Sequence, residues 1–178
     1  MRPDVVVLNG GSSSGTTTVA RALQGVLDDA WLLLGVDDLV DALPRQGPGA
    51  AATITFPPDG SVQVGPVFMR VQEAWLAGVA AIARAGVGVL LDEVLLAGGA
   101  SQDRLAAALA GLDVLWVGVR CDADVAAARE ARRGDRVTGM AVAQAEAVHR
   151  GVRYDVEVDT SRVSPEGCAR VVLAALAR

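Results

Sequence analysis

A glycine- and hydroxyl-rich stretch near the N-terminus has the residue types and spacing to bind phosphate. It runs from Gly10 to Thr17 and reads GGSSSGTT. An apolar, β-branched run precedes it, and a segment with apolar residues at helical spacing follows it. This strand, loop and helix order is the context that the motif G-x-x-x-x-G-K-[ST] requires, and Gly10, Gly15 and Thr17 occupy its glycine and hydroxyl positions. Thr16 stands where the motif has lysine.

Backbone groups could hold an anion in this loop without the lysine. Glycines allow N–H groups to turn inward, and the dipole of the following helix favours negative charge. The Thr17 hydroxyl could also face Mg²⁺, as the hydroxyl of the motif does. The absent ammonium would contribute about 1.5–3 kcal/mol to binding and about 10²–10³ to the rate. We therefore expect catalysis to suffer more than binding. The predicted phosphate-binding residues are Gly10, Gly11, Ser12, Ser13, Ser14, Gly15, Thr16 and Thr17. The alternative is a Gly/Ser turn without a ligand.

Acidic residues follow two of the apolar runs. Asp92 comes directly after residues 87–91, which is the place of the carboxylate that holds Mg²⁺ in phosphate-loop proteins. Thr17 and Asp92 are therefore the predicted metal ligands. Asp37 and Asp38 follow residues 31–36, at the end of a strand where ligands bind in open α/β sheets. Because aspartate is also a good N-cap, Asp37 is equally well explained as a helix cap or as a residue of the cleft.

Any cation that replaces the lysine must be an arginine, since all 16 basic residues are arginines. The most charged tract is residues 129–136, which reads REARRGDR. It is either a solvated helix end, where arginines favour the C-terminal dipole, or a lid that brings arginines over the phosphoryl group. Arg133 and Arg136 are the candidates for the second role.

The elements that would position these residues form one α/β domain over residues 1–178. At 52% hydrophobic and 3% aromatic, the chain suits a core of Val, Leu and Ala in a parallel sheet covered by helices. We predict a three-layer sandwich with a five-stranded parallel sheet. In it, residues 31–36 are buried on both faces and residues 154–159 form an edge strand. Residues 44–66 predict an inserted β-hairpin, which either shapes a substrate pocket or is a passive surface excursion.

Charge and composition limit the partners and the compartment. A net charge of −5 argues against non-specific binding to nucleic acid. Residues 74–91 are apolar apart from Arg84, but this arginine and two glycines favour a helix followed by a strand over a membrane span. Cys121 and Cys168 lack a metal-binding spacing, which indicates buried free thiols in a reducing compartment. No signal peptide is evident, so we expect a cytoplasmic protein with a small-molecule substrate.

Several blocks of the sequence closely resemble the chloramphenicol phosphotransferase family. They are residues 8–15, 31–32, 35–37, 113–121, 133–137 and 154–160, and the resemblance covers nearly the whole chain. It implies a P-loop, nucleoside-kinase-like fold and ATP-dependent transfer of phosphate to a hydroxyl of chloramphenicol or a similar small molecule, as in antibiotic resistance. It also implies that Asp37 is the base, that Arg133 and Arg136 lie at the active site, and that Asp92 lies on the metal side. Members of the family carry lysine at the position of Thr16.

Two interpretations of the function follow. The first is a working small-molecule phosphotransferase with a weakened phosphate loop, in which an arginine partly covers the phosphates. The retention of Thr17, Asp37, Asp92 and the two arginines favours it. The second is a degenerate P-loop fold that binds a small molecule or a partner without phosphoryl transfer, or does other chemistry. The loss of the lysine favours this one.

Overall fold

The computed structural model describes residues 2–44, 53–55, 57, 60–133 and 138–177. Within these residues, five parallel strands form the main sheet, in the order β2-β5-β1-β6-β7. Two further strands, β3 and β4, form a small antiparallel sheet. The elements are β1 Val5–Asn9, α1 Thr16–Gln24, β2 Trp31–Gly35, α2 Val36–Ala42, β3 Ile54–Thr55, β4 Gln63–Val64, α3 Pro66–Arg84, β5 Gly88–Glu93, α4 Gly99–Ala108, β6 Val114–Arg120, α5 Ala123–Arg133, α6 Met140–Ala145, a 3₁₀ turn Ala147–His149, β7 Val156–Asp159 and α7 Pro165–Leu176.

The central strand β1 explains why the sheet has helices on both faces. Its five residues are all buried, and alternate side chains point to opposite sides of the sheet. Val6 and Leu8 pack with α1 and α7 in one apolar cluster, whereas Val5 and Val7 pack with α3 and α4 in another. The predicted three-layer sandwich with a five-stranded parallel sheet is confirmed.

The second strand differs from the prediction, since β2 lies at an edge of the sheet and is not buried on both faces. Leu32 is 43% exposed. A continuous apolar run does not reveal which strand lies at the edge, because edge strands still pack one face against a helix layer. The helix after β2 begins at Val36, directly after the strand.

The structure contains a short strand pair within the predicted insertion, and a helix followed by a strand in the apolar stretch. Ile54 and Thr55 pair with Val64 and Gln63 in antiparallel register. Residues 74–91 divide into the end of α3 and most of β5. No helix in the described part of the chain is long and apolar enough to cross a membrane.

Candidate active site

The loop between β1 and α1 is held in a conformation that has an energetic cost. Ser13 has a φ of 60° and Gly15 a φ of 90°. Ser13 is the one non-glycine residue with positive φ in the described chain, and such a residue costs on the order of 1–3 kcal/mol. A hydrogen bond from Ser14 N to Gly11 O, 3.1 Å, closes the turn. Strain retained by a serine in this way indicates a loop shaped for a ligand.

Several donors of this loop lack a partner among the described residues. Helix α1 begins at Thr16 without a side-chain cap, so the first N–H groups of the helix have no acceptor within it. The hydroxyls of Ser12 and Ser13 are buried and make no hydrogen bond. Buried unpartnered donors are rare in folded proteins, and an anion at the helix N-terminus would satisfy those of this loop.

Thr16 turns its hydroxyl into the loop. The side chain is 6% exposed, and its Oγ1 lies 2.8 Å from Ser14 Oγ. Both hydroxyls press on Gly10, where an added Cβ would lie 2.3 Å from Thr16 Oγ1. Gly10 must therefore remain glycine, and the Thr16 hydroxyl is paired within the loop.

Thr17 and Asp92 lie together at the carboxyl edge of the sheet. Parallel pairing of β1 with β5 sets Leu8 beside Asp92, and Thr17 Oγ1 donates to Asp92 Oδ2 at 2.5 Å. A hydroxyl and a carboxylate are oxygen ligands that suit Mg²⁺, which is usually bound by one or two protein ligands together with waters and substrate phosphates. The described residues contain no group of three or more acidic, histidine or cysteine side chains that could hold a metal. Water or a bound phosphate would therefore have to supply the remaining ligands of an ion at Thr17 and Asp92.

Glu93, next to Asp92, is a buried carboxyl at the same edge. Its burial raises its pKa to about 8, and the negative charge of Asp92 adds to the effect. Near neutral pH Glu93 is largely protonated, which limits the negative charge that a phosphate would meet in this cavity.

The two aspartates after β2 have different roles. Asp38 Oδ2 accepts a hydrogen bond from Gly35 N at 2.7 Å, at the start of α2. Asp37 lines the cavity that also contains the loop. Both aspartates line the cavity, and Asp38 in addition caps the start of α2 through its hydrogen bond with Gly35.

One cavity, with a volume of about 730 Å³, brings the predicted residues together. The loop, Asp37 and Asp92 form part of its wall, and Arg133 reaches it from the end of α5. Arg136, the other predicted lid arginine, lies outside the described residues. Two further arginines of the described chain, Arg21 and Arg104, also line the cavity. Its apolar lining includes Val40, Ile54, Val64, Phe68, Met69 and Leu76.

Two residues of the charged tract are structural, which the sequence interpretation missed. Arg129 donates to Ser14 O at 3.2 Å and to Thr160 O at 2.8 Å. These hydrogen bonds connect the loop to the segment after β7 and stabilise it. Glu130 is buried, and its carboxylate accepts from Gly139 N at 2.8 Å and from Ala141 N at 2.7 Å. This carboxylate caps the beginning of α6 in place of a local side chain.

A buried polar network supports the end of β1. Asn9 Nδ2 donates to Val148 O at 2.9 Å and to the hydroxyl of Tyr154, and Asn9 Oδ1 accepts from Leu95 N at 2.9 Å. His149 Nδ1 lies 2.6 Å from the same hydroxyl. Burial, with the nearby positive charge of Arg120, lowers the pKa of His149 to about 4. The network therefore contains a neutral imidazole and connects the loop to the segment after α6.

The chain is similar to known proteins over nearly its whole length. The model of the family described as chloramphenicol phosphotransferase-like protein matches residues 3–177. A Mycobacterium tuberculosis (strain H37Rv) protein provisionally named an O-phosphotransferase is 30% identical over 181 residues, which are 93% of this chain and 79% of that protein.

Solved structures share the fold. The tunicamycin resistance protein of Deinococcus radiodurans superposes with a TM-score of 0.68 at 21% identity, over 98% of this chain and 95% of that one. Shikimate kinase from Acinetobacter baumannii superposes with a TM-score of 0.62 at 15% identity, over 99% and 94% of the two chains. The fold is that of the P-loop kinases.

Proposed function

The chain belongs to the chloramphenicol phosphotransferase-like family, and from this premise we propose that it transfers the terminal phosphoryl group of Mg²⁺-ATP to a hydroxyl of chloramphenicol or a similar small-molecule antibiotic. The observation that carries the proposal is the shared cavity. A phosphate-type loop, a hydroxyl and carboxylate pair for Mg²⁺, and a strand-end aspartate all line it.

Each group has a role that its position supports. The N–H groups of Gly10, Ser12 and Ser14 are already paired within the protein, so the phosphates are bound by the other N–H groups of the loop and by those of the first turn of α1. Thr17 and Asp92 hold Mg²⁺, which neutralises phosphate charge when it is bound. Asp37 accepts the proton of the acceptor hydroxyl, while the acceptor oxygen bonds to phosphorus and the bond to the departing ADP oxygen breaks. Arg133, together with Arg136, offsets the charge on the transferring group.

The apolar wall of the cavity supports an acceptor of limited polarity. Side chains from α2, the β3–β4 pair and α3 contribute to this lining, and Asp37 lines the same cavity. An apolar lining with a few polar groups is typical of small-molecule sites. We place the reaction in the cytoplasm, where the free thiols of Cys121 and Cys168 would stay reduced.

A second function, binding without transfer, is favoured by one observation. The Thr16 hydroxyl is paired with Ser14, so this position supplies no cation to a phosphate. Backbone donors could then retain a nucleotide while the rate falls below a useful level.

Calorimetry followed by product analysis tests the proposal. We expect saturable binding of Mg²⁺-ATP in the micromolar to low millimolar range, and a phosphorylated product when chloramphenicol and a panel of hydroxyl-bearing antibiotics are added. Asp92→Asn serves as the control that keeps the side-chain size, and it should weaken the binding of Mg²⁺-ATP. Binding without any product would favour the second function. Absence of nucleotide binding would exclude the transfer and would favour a degenerate P-loop fold that binds another small molecule or a partner, or does other chemistry.

A further inference from the structure

Gln144 on α6 is a buried residue of the cavity wall that none of the roles above uses. It is 6% exposed and lines the cavity together with the loop, Asp37 and Arg133. Its Oε1 accepts a hydrogen bond from the backbone N–H of Ser12 at 2.8 Å. Gly11 packs directly against it, since an added Cβ at Gly11 would lie 3.1 Å from Gln144 Cβ.

The contact with Ser12 fixes the orientation of the amide. A backbone N–H needs an acceptor, so the oxygen of Gln144 must face Ser12 and the Nε2 group must face away from it. Among the described residues, Nε2 has no hydrogen-bond acceptor. Gln144 lines the cavity, and its Nε2 group is accessible there, since it is not among the buried side-chain atoms without a partner. It therefore has two N–H donors available for a ligand.

A second buried glutamine shows what a purely structural amide looks like in this chain. Gln102 accepts from Arg153 N at 2.9 Å and donates to Arg153 O at 2.7 Å. Both ends of its side chain are satisfied by one backbone residue, and Gln102 does not line the cavity. Gln144 has only its oxygen satisfied, which is the arrangement expected of a residue that binds a ligand.

The position of Gln144 favours the acceptor over the nucleotide. Its oxygen already accepts the hydrogen bond of the Ser12 N–H, in the part of the loop that follows β1. The backbone N–H groups that remain available for phosphate lie at the other end of the loop, at the start of α1. A neutral carboxamide also matches an uncharged oxygen, whereas an anionic group would be better matched by arginine.

We propose that the Nε2 group of Gln144 binds an uncharged oxygen of the acceptor molecule and holds that molecule against the phosphate loop. This inference rests on the proposed function, because it assigns a residue to the acceptor side of that reaction.

Side-chain amide NMR tests the contact directly, with chloramphenicol as the probe and the full chain in its wild-type form. The Nε2 resonances are assigned by their loss in Gln144→Met and Gln102→Met. We expect chloramphenicol to shift the Gln144 pair and to leave the Gln102 pair unchanged. A shift with Mg²⁺-ATP alone, or no shift with chloramphenicol, would overturn the proposal.

Two variants separate ligand binding from the tether to Ser12. Gln144→Met removes both ends of the amide, whereas Gln144→Glu keeps an oxygen for Ser12 N–H and removes the Nε2 donors. We expect both to weaken chloramphenicol binding by about tenfold in calorimetry, and Gln102→Met to change it less than twofold. Full affinity in Gln144→Glu would show that the residue is only a tether. If the Gln144 resonances shift but the wild type forms no phosphorylated product, the proposed transfer is wrong and the binding role stands.

Discussion

Restoring the missing ammonium at position 16 is the sharpest test of the phosphate loop. The hydroxyls of Ser14 and Thr16 form a hydrogen-bonded pair next to Gly10. Thr16 also lines the cavity. The substitution Thr16→Lys removes this hydroxyl, and the longer side chain can extend into the cavity of about 730 Å³. The variant should bind Mg²⁺-ATP more tightly and transfer phosphate faster.

The expected gain in binding is a difference between two effects. A charge-assisted hydrogen bond to phosphate contributes about 1.5–3 kcal/mol, and loss of the neutral hydroxyl pair costs about 0.5–1.5 kcal/mol. The net gain is between zero and about 2.5 kcal/mol, and its midpoint of about 1.2 kcal/mol corresponds to roughly eightfold in the dissociation constant. A donor to the transferring group is typically worth about 10²–10³ in rate, so turnover should rise more than affinity.

Calorimetry and product formation are compared for the wild type, Thr16→Lys and Thr16→Met. Methionine matches the length of lysine without its charge, so it separates the ammonium from the loss of the Ser14 contact. The lysine variant should also lose part of its gain at high salt, because a fixed charge is screened more than backbone dipoles are. If lysine binds Mg²⁺-ATP no more tightly than methionine does, the loop does not bind phosphate as inferred.

Three further predictions concern the base, the buried histidine and the cap of α6. Asp37→Asn should lower phosphoryl transfer by about 10²–10⁴, the usual contribution of a general base, with nucleotide affinity nearly unchanged; wild-type turnover in this variant would remove Asp37 from that role. The folded pKa of His149 is about 4 against 6.5 for the free side chain, so the unfolded chain binds more protons between these values, and stability is lost as the pH falls from about 6.5 towards 4. Denaturant titrations across this range should show that the free energy of unfolding of the wild type falls by up to about 3 kcal/mol, and that this fall is absent in His149→Gln. Equal pH profiles for the two proteins would contradict the assignment of a neutral imidazole. Glu130→Gln should lower the free energy of unfolding by about 1–2 kcal/mol, because one charge-assisted hydrogen bond to α6 is lost; an unchanged value would show that the capping contributes nothing.

The layers of the fold follow from local patterns in the sequence. Continuous apolar runs indicated four of the parallel strands, and alternating polar and apolar residues indicated the edge strand β7. Apolar residues at 3.6-residue periodicity indicated the helices between them. Position within the sheet does not follow from such patterns. The run at β2 is as apolar as that at β5, yet β2 is an edge strand, because strand order is decided by crossovers between distant segments.

The candidate site divides in the same way. The phosphate loop is a local motif, so its place before α1 was predictable from spacing alone. Choosing between Asp37 and Asp38 required the structure, because the cap is defined by one hydrogen bond to Gly35. Gln144 and Glu130 carry no local signal, since their partners lie 132 and 9 or 11 residues away in sequence.

The absence of a lysine changes how this site would recognise phosphate. Backbone N–H groups and a helix N-terminus are neutral overall, and their directions are fixed by the fold, so they select an anion by geometry. The acidic neighbours Asp37 and Asp92 would oppose an anion. A largely neutral Glu93 reduces that opposition, and Mg²⁺ between Thr17, Asp92 and the phosphates would reverse it locally. In the complete motif, lysine and the metal together supply the positive charge that offsets the phosphates. In a loop without the ammonium, the metal has to supply more of this charge. Nucleotide affinity in this chain should depend more steeply on Mg²⁺ than it does in Thr16→Lys.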